Sequence, residues 1–245
     1  SWPTLRKAGF RVAYEAMRGA GQDLLARALK GSRIRILPVP TVPWPLSSRH
    51  RPEPVEDHLH GLSETVRRQR CHVGLATDGD ADRVGLVAPG GRFISAQETM
   101  ALLLWHLLED RGWRGMVVST ISGTNLLEAI TQAYRVELRR TPVGFKHIAR
   151  LMRTGKVLFG GEESGGFGFR GCVPERDGIL AGLLILEMMA MRRENLAAIL
   201  SQMHRRFGRW QFQRADWVLS QPLSRNRLRK WTESPSLRRW RLPGA

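Results

Sequence analysis

The chain has 245 residues, of which 42% are hydrophobic and 25% are charged. This composition is that of a globular protein and excludes a largely disordered one, and the length allows one large or two modest domains. The 39 lysines and arginines exceed the 22 acidic residues and give a formal net charge of +17. Such a charge favours anionic partners, either nucleic acid or phosphorylated small molecules.

The features that indicate a cellular compartment favour the cytoplasm. The two cysteines, Cys71 and Cys172, provide no disulfide framework, which is typical of a reducing compartment. No signal peptide opens the chain, and its longest apolar stretch, Ile179 to Met191, contains Glu187 and is too short to span a bilayer. We therefore predict a cytoplasmic protein with no membrane partner.

The first part of the chain has the pattern of a parallel α/β sheet, because strand-like and helix-like segments alternate. From residue type and spacing we predict, in chain order, a strand at Phe10–Tyr14, a glycine-rich turn at Met17–Gly21, a helix at Gln22–Leu29, a strand at Ile34–Val39, a proline-rich surface connection at Pro38–Pro54 and a helix at Val55–Arg70.

An acidic loop follows this helix. The apolar run from Cys71 to Ala76 predicts a strand that leads into Asp78-Gly-Asp-Ala-Asp-Arg83, and the run from Val84 to Val87 predicts the strand that leaves it. Three carboxylates so close together repel one another, and hard oxygen ligands suit Mg²⁺ or Mn²⁺. Arg83 offers a fork of donors for a phosphate oxygen. The spacing alone also allows a solvated Asp-Gly turn.

The second part of the chain repeats the α/β pattern. Ser95 with Glu98 three residues later predicts a capping box at the start of a helix that runs through Leu107. Further along we predict strands at Met116–Ile121, Val136–Leu138 and Val157–Phe159, and helices at Leu126–Tyr134, Gly144–Met152 and Gly178–Arg192. Beyond Phe207 the sequence has no clear period, apart from a possible strand start at Trp210–Val218.

Four motifs in a fixed order carry a resemblance to a known family. They are Asp78-Gly-Asp-Ala-Asp-Arg83, Thr141-Pro-Val-Gly-Phe-Lys146, Gly161-Glu-Glu-Ser-Gly-Gly166 and Arg176-Asp177-Gly178. Each lies at a predicted strand end or helix start. Together they closely resemble the α-D-phosphohexomutases, the phosphoglucomutase and phosphomannomutase family, over roughly Lys7 to Arg206.

The resemblance implies a function and a set of site residues. Enzymes of this family move a phosphoryl group between the 1- and 6-positions of a hexose, with Mg²⁺, a hexose 1,6-bisphosphate intermediate and a phosphoserine. By resemblance, the metal ligands are Asp78, Asp80 and Asp82, the catalytic residues are Arg83 and Lys146, and the sugar-binding residues are Glu162 and Ser164. Taken alone, the glycine-rich loop around Glu162 could equally be a flexible turn, and Lys146 a surface lysine.

We therefore predict an α/β fold with two tandem three-layer α/β domains with mixed sheets and an irregular basic C-terminal tail. Residues 1–92 correspond to the second domain of the family, which carries the metal loop. Residues 93–206 correspond to the third domain, which carries the sugar-binding loop. Residues 207–245 form the poorly defined tail, a possible remnant of the start of the fourth domain.

The sequence also departs from the family. It contains no Thr-Ala-Ser-His-Asn-Pro-like loop for the nucleophilic serine, and we find no fourth-domain loop for the non-reacting phosphate. Ser119 and Ser122 do not match the nucleophile loop and are expected to be strand-end or cap residues. We therefore expect the chain to be inactive alone and to bind Mg²⁺ weakly. Three origins stay open: a fragment, a truncated gene product, or one part of a split enzyme that works with a separate chain carrying the missing domains.

Three alternative functions compete with this one. The first is a non-catalytic module that binds a phosphosugar or a protein partner. The second is a basic nucleic-acid-binding protein, which is disfavoured because part of the excess charge is local to the stretch from Arg205 to Arg241 and no nucleic-acid-binding signature is present. The third, a haloacid-dehalogenase-type phosphatase, needs an aspartate nucleophile directly after the first strand, where this chain has Glu15-Ala16-Met17. The preferred hexose stays open.

Overall fold

In the computed structural model, the described residues are 2–39 and 52–210, with the single positions 224, 226, 229 and 230. Ser1–Gln211 forms one compact unit. Most of the predicted connection at Pro38–Pro54 and most of the predicted tail lie outside the described residues, as does the possible strand start at Trp210–Val218 except for Trp210 itself. Among the helices in the described part, none is both long enough and apolar enough to cross a membrane.

The first sheet has five strands in the order β2-β1-β3-β4-β5. The strands are β1 (Arg11–Glu15), β2 (Arg35–Pro38), β3 (Val73–Thr77), β4 (Val84–Ala88) and β5 (Arg92–Ile94). Strand β1 pairs in parallel with β2 and β3, which confirms the predicted parallel arrangement. Strands β3, β4 and β5 are joined in antiparallel order, so the sheet is mixed.

The second sheet has four strands in the order β7-β6-β8-β9. The strands are β6 (Met116–Thr120), β7 (Leu138–Thr141), β8 (Val157–Gly161) and β9 (Phe167–Phe169). Strand β6 pairs in parallel with β7 and β8, and β9 adds to β8 in antiparallel order. The strand predicted at Val136–Leu138 thus begins later, at Leu138, because the pairing partner Val117 fixes the register there.

The helices are α1 (Trp2–Lys7), α2 (Leu24–Ala28), α3 (His60–Arg68), α4 (Ala96–Glu109), α5 (Leu126–Tyr134), α6 (Phe145–Met152), α7 (Gly178–Arg192) and α8 (Leu196–Phe207). The predicted bounds of α5 and α7 are confirmed. The capping box at the start of α4 is also confirmed, since the Ser95 side chain accepts from the Glu98 amide and the Glu98 carboxylate accepts from the Ser95 amide. The helix predicted from Val55 begins instead as a 3₁₀ turn at Glu56–His58.

Each sheet is covered by helices on both faces, as predicted for three-layer domains. Helix α3 covers one face of the first sheet through Leu62 and Val66. Helix α6 covers one face of the second sheet through Ile148 and Met152. The side chains on the opposite faces belong to one hydrophobic cluster, to which helices α4, α5, α7 and α8 contribute most of the residues. Helices α4 and α7 both pack against β4 of the first sheet. The two sheets therefore share a single core.

Candidate functional site

The acidic loop at the carboxyl end of β3 is folded around the side chain of Asp78. Its Oδ1 atom accepts hydrogen bonds from the amides of Asp82 at 3.0 Å and Arg83 at 3.2 Å. Ala81, which directly precedes Asp82, adopts a left-handed conformation with φ of 60°, which costs an L-residue roughly 1 kcal/mol. Asp80 is exposed at the tip of the loop. The first of the three aspartates is buried and shapes the loop.

The glycine-rich turn after β1 supports the acidic loop from the side. The Ala20 amide donates to the carbonyl oxygen of Gly79 at 2.9 Å. A Cβ atom on Gly19 would lie 2.5 Å from the Asp78 carbonyl oxygen, so a larger residue cannot occupy that position without a backbone shift. Tyr14 contributes a buried hydroxyl 2.9 Å from the Thr77 side chain at the end of β3. The parallel pairing of β1 and β3 places these supports together.

The loop after β8, residues 161–166, docks on the residues that follow the acidic loop. The Val84 amide donates to the Gly165 carbonyl oxygen at 3.0 Å, and Arg83 and Gly166 form an isolated β-bridge. The first residue of α7, Gly178, donates its amide to the carbonyl oxygen of Ala81 at 3.0 Å. The acidic loop and loop 161–166, which lie about 80 residues apart in the chain, are thereby joined by backbone contacts.

Arg176 contacts side chains from both loops. Its Nη2 atom lies 2.7 Å from Oδ2 of Asp82, and its Nη1 atom lies 3.8 Å from Oε2 of Glu162. The guanidinium carbon lies 5.6 Å from the centre of the Phe145 ring. The sequence pointed to Arg176 only as part of a family motif, and it was not predicted as a site residue. The motif was the signal in the sequence that could have identified Arg176. Its position just before α7 gave no information about the distance to either loop.

Two carboxyl groups of this site have raised pKa values. Burial raises the pKa of the Asp82 carboxyl to about 6, the nearby charge of Asp78 acts in the same direction, and Arg176 opposes both effects. Burial also raises the pKa of the Glu162 carboxyl, while Arg176 and a hydrogen bond from the Gly144 amide lower it. That hydrogen bond to Oε1 measures 3.1 Å. The Glu162 carboxyl is thus fixed in place by Gly144, which precedes α6.

Arg83 lies at the edge of the acidic loop with its side chain 27% exposed. Its Nη1 atom is 3.4 Å from Oε1 of Glu53, and its Nε atom is 3.6 Å from Oδ2 of Asp78. Charged donors of this kind bind carboxylates and phosphates with the same geometry. Arg83 therefore combines a partly exposed guanidinium group with an anchored position.

The remaining predicted site residues are exposed. Lys146 lies in the first turn of α6, two residues after Gly144, and Ser164 lies at the tip of loop 161–166. Within the described ranges, neither side chain makes a hydrogen bond or an ion pair. Ser119 is buried at the end of β6, and Ser122 donates to the Thr120 hydroxyl at 3.2 Å, in a turn that follows that strand. Exposure leaves Lys146 and Ser164 available to a ligand.

The three aspartates offer oxygen ligands, which is the donor chemistry that Mg²⁺ prefers. Within residues 2–39 and 52–210, however, no three His, Cys, Asp or Glu side chains are grouped closely enough to hold a metal ion. Asp78 uses one oxygen for backbone amides, Asp82 is paired with Arg176, and Asp80 lies at an exposed position. The oxygen ligands of the three aspartates therefore suit Mg²⁺ chemically. In this structure, however, Asp78 and Asp82 are engaged by backbone amides and by Arg176.

The fold and the two joined loops define a class, the α/β/α domains of phosphosugar mutases. The family profile for "Phosphoglucomutase/phosphomannomutase, alpha/beta/alpha domain II" matches residues 1–91, and the profile for domain III of the same family matches residues 95–207. The chain therefore belongs to the phosphoglucomutase/phosphomannomutase family, the α-D-phosphohexomutases.

Individual relatives agree with this assignment. The chain is 32% identical to a phosphoglucomutase/phosphomannomutase of Thermococcus kodakarensis over 78% of this chain and 42% of the relative. It is 31% identical to a phosphoglucosamine mutase of Nitratidesulfovibrio vulgaris over 80% of this chain and 43% of the relative. The chain thus spans less than half the length of these curated relatives.

Solved structures show the same fold. A protein assigned as a phosphomannomutase from Thermus thermophilus superposes with a TM-score of 0.79 and 34% identity, over 85% of this chain and 48% of that chain. An Aspergillus fumigatus N-acetylphosphoglucosamine mutase superposes with a TM-score of 0.57 and 15% identity, over 82% of this chain and 47% of that chain. At that low identity, the second likeness concerns the fold alone.

Proposed function

We propose that this chain provides the cation-binding and sugar-binding parts of a phosphohexomutase, which interconverts hexose 1-phosphate and hexose 6-phosphate. The observation that carries the proposal is the docking of loop 161–166 at the end of the acidic loop, through the β-bridge between Arg83 and Gly166 and the 3.0 Å hydrogen bond from the Val84 amide to the Gly165 carbonyl oxygen. These contacts bring Arg83, which suits phosphate, close to Glu162, which suits sugar hydroxyls. Family membership supports the same reaction.

Mg²⁺ is the cofactor that we propose, with Asp78, Asp80 and Asp82 as the residues that would hold it. When bound, such an ion supplies positive charge next to the moving phosphoryl group and lowers the cost of charge that develops during transfer. One structural relative, the Aspergillus fumigatus enzyme described above, was solved with GlcNAc-6P and magnesium. The all-oxygen donor set of the acidic loop supports the choice of Mg²⁺ for this chain.

The protein side chains then have separate roles. Arg83 binds a phosphate oxygen, and Lys146 contacts the phosphate or moves a proton at the sugar oxygen. Glu162 accepts hydrogen bonds from the sugar hydroxyls, and the Ser164 hydroxyl donates to them. Phosphoryl transfer needs little covalent work by the protein, because positioning and charge carry most of the catalysis. A hexose 1,6-bisphosphate is the intermediate or activator in this scheme.

The proposed reaction also uses a phosphoserine. The sequence of 245 residues contains no loop of the required type. We infer that the serine is supplied by residues outside this sequence, either in the same polypeptide or in a separate chain. A cytoplasmic location is part of the proposal and is supported by Cys71 and Cys172, both of which are free thiols.

Calorimetric titration of glucose 1,6-bisphosphate into the chain, with and without Mg²⁺, tests the proposal. We expect binding that Mg²⁺ strengthens. Asp80→Asn should remove the effect of Mg²⁺ while the protein stays folded, because Asp80 is exposed at a loop tip. Glu162→Gln should weaken binding of the sugar by about tenfold, the order expected when one charged hydrogen-bond acceptor is lost.

Glu64→Gln is the matched control, since it neutralises a carboxylate whose ion pair with Arg68 lies on the surface of α3. It should bind glucose 1,6-bisphosphate like the wild type. A folded wild type that does not bind this ligand, with or without Mg²⁺, would contradict the proposal. Salt-dependent binding to unrelated DNA that the sugar bisphosphate leaves unchanged would instead favour a nucleic-acid partner.

A further inference from the structure

Arg176 contacts carboxylates on two different loops, in addition to that of its chain neighbour Glu175. Its guanidinium group is 2.7 Å from Asp82 on the acidic loop and 3.8 Å from Glu162 on loop 161–166. The side chain is 23% exposed, and its buried Nε atom lies 3.4 Å from Oε1 of Glu175 without the geometry of a hydrogen bond. The guanidinium group is therefore bound tightly to one loop, loosely to the other, and not fully satisfied by either.

A cation that used Asp82 would compete with Arg176 for the same carboxylate. The guanidinium group and a divalent ion carry charge of the same sign and repel each other at short distance. Cation binding must therefore weaken or break the contact of 2.7 Å. Arg176 would then remain beside Glu162 with its donors released, at the place where we propose that a phosphosugar binds. A phosphate group accepts the same forked pair of donors that a carboxylate accepts.

We propose that Arg176 is a positioning residue that couples cation binding at the acidic loop to phosphosugar binding at loop 161–166. In the cation-free protein it neutralises Asp82 through the contact of 2.7 Å. When a cation takes Asp82, Arg176 turns its released donors to the phosphate of the sugar. This inference rests on the proposed function, because it needs both ligands. It requires that each ligand strengthens the binding of the other by the same factor.

Titration of Mg²⁺ by calorimetry, with and without saturating glucose 1,6-bisphosphate, measures this coupling directly. For the wild type we expect the Kd for Mg²⁺ to fall about tenfold when the sugar bisphosphate is present, within the range typical of coupled sites. A blank titration corrects for Mg²⁺ bound by the sugar bisphosphate itself. For Arg176→Gln without sugar, we expect Mg²⁺ to bind about tenfold more tightly than to the wild type, and the sugar bisphosphate should then change its Kd by less than about threefold.

Arg68→Gln is the matched control for charge. Arg68 lies in the last turn of α3 with its side chain 74% exposed, and its ion pair with Glu64 measures 3.4 Å. It precedes the start of β3, whereas the acidic loop follows the end of that strand. This variant loses the same positive charge away from both loops, and it should keep the wild-type affinity and the wild-type coupling. Arg176→Lys retains the charge without the fork, and it should keep an Mg²⁺ affinity nearer to that of the wild type than Arg176→Gln does.

An unchanged Mg²⁺ affinity in Arg176→Gln, with a wild-type circular dichroism spectrum, would overturn the inference. Coupling of less than about twofold in the wild type would also overturn it, and that measurement needs no variant if Arg176→Gln fails to fold. If glucose 1,6-bisphosphate does not bind but Mg²⁺ still binds more tightly to Arg176→Gln, the competition at Asp82 is supported and the proposed function is contradicted. The two failures are therefore distinguishable.

Discussion

The imidazole of His106 on α4 and the carboxylate of Glu187 on α7 are in contact inside the core shared by the two sheets. The Nε2 atom of His106 lies 3.0 Å from Oε2 of Glu187, and the two side chains are 0% and 2% exposed. Arg111 contributes a second contact, with Nη2 2.6 Å from the same carboxylate oxygen. These polar contacts hold α7 against α4. The first residue of α7, Gly178, donates its amide to the acidic loop, so the position of the helix bears on the position of the loop.

Replacing Glu187 with alanine should strongly destabilise the protein. The substitution leaves the buried ring of His106 and the guanidinium group of Arg111 without their common acceptor, and loss of one partner of a buried charged pair costs about 3 kcal/mol. Urea unfolding followed by circular dichroism measures the change. Glu64→Ala, which removes an exposed pair on α3, should cost less than about 1 kcal/mol. Equal losses of unfolding free energy in the two variants would show that the buried contacts of Glu187 stabilise the protein no more than an exposed ion pair does.

Gly178→Ala should disturb the acidic loop. A Cβ atom at this position would clash with the Arg83 carbonyl oxygen and lie 2.9 Å from that of Ala81, so α7 or the loop must move. Such overpacking typically costs about 1–3 kcal/mol. We expect lower stability in urea together with weaker binding of Mg²⁺.

Gly182→Ala is the control on the same helix. Its new methyl group would meet the flexible end of Leu75 at 3.3 Å, and it should change stability by less than about 1 kcal/mol. If Gly178→Ala is equally harmless, the close approach of α7 to the acidic loop has no structural importance.

Glu15 gives the protein a stability that depends on pH. Its Oε2 atom is buried and has no hydrogen-bond partner among the described residues, and burial raises the pKa of the carboxyl above its usual value. The folded protein therefore holds this proton more strongly than the unfolded chain does. The favourable contribution is fully present below the unfolded pKa and is lost as pH rises through the folded pKa.

Glu15→Gln, which is neutral at every pH, should therefore gain stability relative to the wild type as pH rises from about 4.5 to 7. Urea unfolding at several pH values measures this difference. Asp57→Asn, which alters a carboxyl of the 3₁₀ turn, serves as the control. A stability difference that stays constant across this range would contradict the assignment.

The isolated chain of 245 residues should not interconvert glucose 1-phosphate and glucose 6-phosphate. The proposed reaction needs a phosphoserine, and no segment of this sequence resembles the nucleophile loop. A dehydrogenase-coupled assay with Mg²⁺ and glucose 1,6-bisphosphate measures the rate, with an intact phosphoglucomutase as the positive control. Turnover by the purified chain at an ordinary enzymatic rate, about 1 s⁻¹ or more, would refute the requirement for an outside serine.

Several features that depend on neighbouring residues were predicted from the sequence, although helix α8 was not. The bounds of α5 and α7 agree with the apolar spacing, and the capping box of Ser95 and Glu98 is formed as its spacing required. These signals are local, since the groups that decide them lie within one or two helical turns. Strands β5 and β9 were not predicted, because each has only three residues and is stabilised by pairing with a neighbouring strand.

The sequence by itself determined which chemical groups this protein offers: three aspartates and an arginine after a buried strand, and a glutamate in a glycine-rich loop. Only the tertiary structure decided that these loops share backbone hydrogen bonds, and that Arg176 lies between Asp82 and Glu162. The physical reason is that residue type and periodicity act over a few positions. The distance between loops on two different sheets is fixed by the shared core, in which α4 and α7 pack against β4.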